Sequence, residues 1–120
     1  MTASTVRAVS PTVILSPVSA ADTAAATSSW IDVRTYEGDA AVVLNVGAIT
    51  GSISAVIEHA SDNSGTGAAT LDTFAAITAN TVQKITIRPS GTQGFIRVKG
   101  TVVTGPVLIS ASLLSRLDTV

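Results

Sequence analysis

Between Ala40 and Ala60 the chain reads AAVVLNVGAITGSISAVIEHA, and this stretch constrains the fold more than any other. Two runs rich in Val, Ile and Ala flank Thr50-Gly51-Ser52, the pattern of a β-hairpin. In the second run Ile53, Ala55 and Ile57 alternate with Ser52, Ser54 and Glu58. One face therefore turns to a core and the other to water. Val56 breaks the alternation, which predicts that part of the outer face is also covered.

The same reading extends to both sides. Trp30 to Tyr36 alternates, with Trp30, Asp32, Arg34 and Tyr36 on one face and Ile31, Val33 and Thr35 on the other. Glu37-Gly38-Asp39 then predicts a turn. Ser61 to Thr70 is a surface loop by its Gly, Asp and Asn content. Leu71, Phe74 and Ile77 are spaced by three, which fits either a helical turn or an irregular segment covering the sheet end. Three further strands follow, at Val82 to Arg88, Gly94 to Val103 and Val107 to Leu113. Their inward sets are Ile85 and Ile87; Ile96, Val98 and Val102; and Val107, Ile109, Ala111 and Leu113. Six to eight short strands separated by turn signals predict an all-β fold, a small antiparallel β-sandwich or jelly-roll-like domain.

Residues 1–29 differ from the rest, being mostly Ala, Ser and Thr outside Val13-Ile14-Leu15. Ser10-Pro11 and Ser16-Pro17 bracket that triplet, and each proline imposes extended or turn geometry on its serine. Two readings stand: an extended N-terminal arm with one strand-like anchor, or a first strand paired into the sandwich followed by a long loop. On the first, residues 1–29 form the arm and 30–120 the sandwich, and removing the arm leaves the sandwich folded. A partner contact then falls to the anchor residues Val13, Ile14 and Leu15 and to Trp30. Trp30 is either a lid on the core or an anchor in a partner's groove.

The 120 residues suit one domain. Hydrophobic residues are 46% of the chain, yet the aromatics are only Trp30, Tyr36, Phe74 and Phe95, so the core gains little area per residue. A net charge of −1 with scattered basic residues argues against nucleic acid or a membrane surface as partner. The chain has no cysteine, hence no disulfide framework and no thiolate chemistry. No run approaches the ~18 apolar residues of a membrane helix, and no signal-peptide pattern follows Arg7. A soluble, unprocessed protein is expected.

Motifs for chemistry are sparse. His59 is the single histidine and is read as a rim residue. No Gly-x-Ser-x-Gly elbow presents a nucleophile. The acids Asp32, Glu37, Asp39, Glu58, Asp62 and Asp72 sit at turns or on exposed faces, without a visible pairing for glycoside chemistry. Asp62-Asn63-Ser64-Gly65 lacks the order of a calcium loop, with Thr73 where the twelfth-position Glu belongs. Gly65 to Thr70 lies in no βαβ context and is not a phosphate loop. No enzyme, cofactor or metal is expected.

Several segments carry a resemblance: WIDVRTYEGDAAVVLNVGAITGSISAVIEHASDNSG, Phe74 to Ile77, Gln83 to Arg88, Gly94 to Val98 and the closing Val-Thr-Gly-Pro strand pair. Over Trp30 to Leu114 the chain resembles capsid decoration (cement) proteins, encoded beside the major capsid gene of tailed bacteriophages. The resemblance implies a virion structural protein on the outer surface of an icosahedral head, made in the host cytoplasm. It implies a homotrimer bridging subunits of the major capsid protein, with no functional residue to carry over. Alternatives are another virion β-domain (tail tube, head–tail connector or fibre-associated) and a carbohydrate-binding sandwich using Trp30 or Tyr36.

Overall fold

The computed structural model describes residues 9–117, with backbone alone for residues 9, 10, 37 and 115–117. Alternating apolar residues produce eight strands: β1 Val9–Ala20, β2 Ile31–Asp32, β3 Tyr36–Ile49, β4 Ser52–Ala60, β5 Ala69–Thr73, β6 Thr81–Ile87, β7 Phe95–Thr104 and β8 Val107–Leu117. The first sheet has the order β1-β8-β3-β6 and the second β2-β7-β4-β5, and every pairing is antiparallel. Consecutive strands change sheet at every connection except β4–β5. This is the double Greek-key arrangement of a jelly roll, and the predicted fold class is the one observed. The alternating sets Val42, Leu44 and Val46; Ile53, Ala55 and Ile57; and Val107, Ile109, Ala111 and Leu113 meet between the sheets and are buried.

The hairpin expected at Ala40 to Ala60 does not form. Strands β3 and β4 are there, but β3 pairs with β6 and β8 in the first sheet while β4 pairs with β5 and β7 in the second. Thr50-Gly51 carries the chain across the sandwich instead of back along one sheet. The two strands thus face each other through their side chains and share no ladder. Gly51 permits the crossing: a Cβ there would lie against the Thr104 side chain and 2.5 Å from its carbonyl oxygen. The closing strands β7 and β8 likewise lie in opposite sheets, so they are not a pair either.

Two local expectations change for related reasons. Glu37-Gly38-Asp39 is no turn but an irregularity inside β3, with a register shift between Glu37 and Ala41 and Gly38 at φ +68°. The chain turns earlier, at Arg34–Thr35. The Leu71 to Ile77 segment is not helical: β5 runs to Thr73, and Phe74 and Ile77 continue along β4 by hydrogen bonds to Ala55 and Ile53. Phe74 and Ile77 are buried there.

Of the segment read as an arm, residues 9–29 belong to the sandwich. Strand β1 forms the edge of the first sheet and pairs with β8 from Val9↔Arg116 to Ala20↔Val107. Ala26 and Ser28 then dock on β7, where the Gly100 N–H donates to the Ala26 carbonyl at 2.9 Å and the Ser28 N–H to the Val98 carbonyl at 2.9 Å. The Ser28 hydroxyl accepts from the Val98 N–H at 3.0 Å, which satisfies a buried serine. This is the alternative of a paired first strand plus a loop. Removal of residues 1–29 would strip the edge strand from β8 and take Ile14, Ala20 and Ala26 out of the core, so the expectation of an intact remainder is withdrawn. Residues 1–8 lie outside the described residues.

Candidate functional site

Because both sheets pack their inner faces together, what the described residues present to another molecule lies on the two outer faces, the sheet edges and the two ends. On the first sheet the register assembles the outer face in rows. Pro11, Leu114, Ala41 and Thr86 form one row, Val13, Ser112, Val43 and Lys84 the next, and Ser110, Asn45 and Val82 a third. Leu108 lies over Gly47 at the upper margin, where a Cβ on the glycine would meet its Cδ2 at 3.1 Å. Exposed large apolar residues concentrate here: Val13 at 63%, Val82 at 64%, Leu108 at 43% and Leu114 at 38%. Lys84 is the one charged side chain within these rows.

The face continues onto one end of the sandwich. Three uncharged stretches, Ala40–Ile57, Thr73–Gln83 and Gly100–Ser115, supply the β3–β4, β5–β6 and β7–β8 connections that converge there. Val103 projects from this end at 69% exposure. A shallow depression of about 480 Å³ lies between Gly47–Ile49 and Thr78–Asn80. Asp22, in the β1–β2 connection, is the charged residue of this end, and its carboxylate accepts the Ala25 N–H at 3.0 Å.

The outer face of the second sheet is built differently. Glu58 on β4 lies opposite Arg97 on β7, and the Arg97 Nε donates to the Glu58 carboxylate at 2.8 Å. These side chains are only 14% and 25% exposed. The Arg97 guanidinium also stacks on the Trp30 ring, 4.4 Å from its centroid, a contact worth ~1 kcal/mol or more when desolvated. Gly65 of the β4–β5 loop approaches the other rim of the indole; a Cβ there would be 3.2 Å from its Nε1. Nearby, Arg34 lies over Phe95 at 4.9 Å and donates to Asp32 at 2.8 Å. The Arg34 side-chain hydrogen bond, reinforced by the Arg34 backbone N–H, holds the Asp32 carboxyl at about 2, below its ordinary 3.8.

Of the residues assigned to a partner, Val13 is exposed, Ile14 is 6% exposed and packs in the core, and Leu15 is half-buried against that core. Ile14 is therefore no contact residue: alternation along β1 turns it inward. Trp30 lies on the other sheet, joined to Arg97, and is brought together with none of these three. Val56, where the alternation breaks, is half-buried between Thr73 and Lys99 of the neighbouring strands.

The candidate chemistry resolves into turn structure. The His59 Nδ1 accepts the Gln93 N–H at 3.2 Å, tying the β4 end to the loop before β7. Asp62 accepts the Ser64 and Thr66 N–H groups at 2.9 and 3.1 Å. The Thr66 hydroxyl and these amides hold its carboxyl below the usual range. Its loop is an Asx turn. Among the described residues no group of three or more His, Cys, Asp or Glu could hold a metal ion. Among the described residues no helix is long and apolar enough to cross a membrane.

No family model matches the chain, and no curated protein matches it at a significant level. The weight of the functional reading therefore rests on the surface. Sequence reasoning named Trp30 and Glu58 separately and gave no sign that Arg97 joins them, because only the β4–β7 register brings Glu58 to Arg97. It had also passed over the three uncharged stretches, whose signal was plain in the order of charges along the chain.

Proposed function

We propose that this chain is a virion structural protein: a capsid decoration protein that binds between major capsid subunits on the outside of an icosahedral phage head, as a homotrimer. Its action is binding alone. The observation that carries the reading is the outer face of the first sheet, whose rows from Pro11 to Val82 hold Lys84 as their one charged side chain, continuous with an end that carries only Asp22. Exposed apolar patches of this kind mark interaction surfaces, and contact cores between proteins are depleted in charge. Around a small-residue core that gains little apolar area per side chain, such contacts would add stability by binding. The resemblance over Trp30 to Leu114 supplies the kind of partner.

The carbohydrate alternative is set aside. One face of the Trp30 ring carries the Arg97 guanidinium, and the Tyr36 hydroxyl lies 3.4 Å from the Thr12 hydroxyl, so the two rings form no shared platform. The deciding measurement is copy number per particle, by quantitative mass spectrometry and electron microscopy of purified virions. The proposal expects shell-wide copy number. Absence from particles, or a ring-like axial copy number typical of a tail or connector protein, would overturn it.

A further inference from the structure

We infer that the outer face of the first sheet turns toward the symmetry axis of a homo-oligomer, so that its occupant is a second copy of this chain. The inference rests on the proposed function only in treating this face as a contact surface. About any closed rotation axis, the residues nearest the axis meet their own symmetry mates. A charge placed there meets a like charge, which costs several kcal/mol, whereas uncharged groups that both donate and accept can pair with themselves. The polar residues in the middle of this face are Asn45, Ser110 and Ser112, each of that self-complementary kind. Around them lie Ala41, Val43, Val13, Leu108 and Leu114, small or branched apolar side chains that allow close approach of another sheet. Lys84, the one charge in these rows, lies on β6 at the margin, where its long side chain can reach water.

The sheet edges favour this face over edge-to-edge pairing. On β1, Pro11 and Pro17 lack the N–H needed to extend the ladder, and the register shifts twice. On β6, an antiparallel partner centred on Lys84 would set two lysines directly opposite, which is destabilising. The second outer face has its acid, guanidinium and aromatic groups already engaged with one another.

The absence of cysteine makes the test direct. Full-length protein carrying Asn45→Cys or Ser112→Cys is oxidised and run without reductant, with Ser54→Cys on the opposite outer face as control. Self-cross-linking of the first two variants and not of the control is expected. In parallel, light scattering as a function of concentration compares wild type with Asn45→Lys and Ser54→Lys. Asn45→Lys should weaken self-association about tenfold or more, with circular dichroism and melting unchanged, while Ser54→Lys leaves it intact. A wild-type chain that stays monomeric, or an Asn45→Lys chain that assembles normally without cross-linking of the cysteine variants, overturns the inference. A monomer that still decorates shells would assign the face to the capsid partner. An oligomer through this face that is absent from virions would keep the inference and remove the proposed function.

Discussion

The two outer faces of this sandwich are made from the same strand geometry and reach opposite ends. The second sheet finishes its own surface. Trp30, Arg97 and Glu58 neutralise and cover one another, and Arg34 does the same with Asp32 and Phe95. In the rows from Pro11 to Val82 the first sheet leaves a field of Val, Leu, Ala, Ser and Asn with a single lysine, and only beyond them does Arg88 meet Asp39 at 3.4 Å. The difference separates a surface stabilised within the chain from one that gains by contact with another molecule.

The sharpest way to break this comparison is to remove the separation of the sheets on which it depends. Gly51 lets the chain cross between them in two residues, and a methyl group there meets the Thr104 backbone. Gly51→Ala should cost about 3 kcal/mol, near the upper end for an overpacked site, read as a lower urea midpoint. A smaller cost would mean that the crossing has slack. Next comes the self-finished face. Glu58→Ala leaves the Arg97 guanidinium partly buried without its carboxylate and should cost about 2 kcal/mol. A double-mutant cycle with Arg97→Ala should recover part of this as coupling, and Trp30, the single tryptophan, reports the change by fluorescence. By contrast Leu108→Ser on the first face should change the isolated chain's stability by no more than about 0.5 kcal/mol. Equal costs on both faces would erase the distinction.

The smallest effect concerns Asp32. Its carboxyl is held at about 2 against an ordinary 3.8, chiefly by the Arg34 side chain. The folded state therefore favours the ionised form: the pair stabilises above the ordinary carboxylate range, and this is lost as the pH falls through about 2. The pair is exposed, so solvent screening limits it to about 0.3 kcal/mol. Asp32→Asn should lower stability by that amount at neutral pH, and thermal melts of variant and wild type should converge near pH 2.

Much of the candidate surface was within reach of the sequence, and its assembly was not. Alternation along β8 showed that Ser110 and Ser112 point away from the core, and the spacing of charges marked the uncharged stretches that build most of this face. That Asn45 lies beside Ser110, or that Ile14 points inward while Val13 points out, depends on which strand is the neighbour and at what register. For Trp30 the sequence offered a core lid or a partner anchor. Its place over Arg97 is a third outcome, decided by a residue far along the chain.

The sequence by itself determined which side chains of β4, β7 and β8 face the core, while the bounds of β1, β3 and β5 are not those it suggested. Period-two alternation and turn residues are local, and they act before any neighbour is chosen. Only the tertiary structure decided that Ala40 to Ala60 is a crossing between sheets and not a hairpin, and that residues 9–20 are an edge strand and not an arm. Both follow from competition for hydrogen-bond partners. Strand β3 finds its ladders in β6 and β8, and β1 finds its own in β8 at the far end of the chain. A buried strand needs its backbone paired as well as its apolar side covered, and no local pattern records which distant segment will do the pairing.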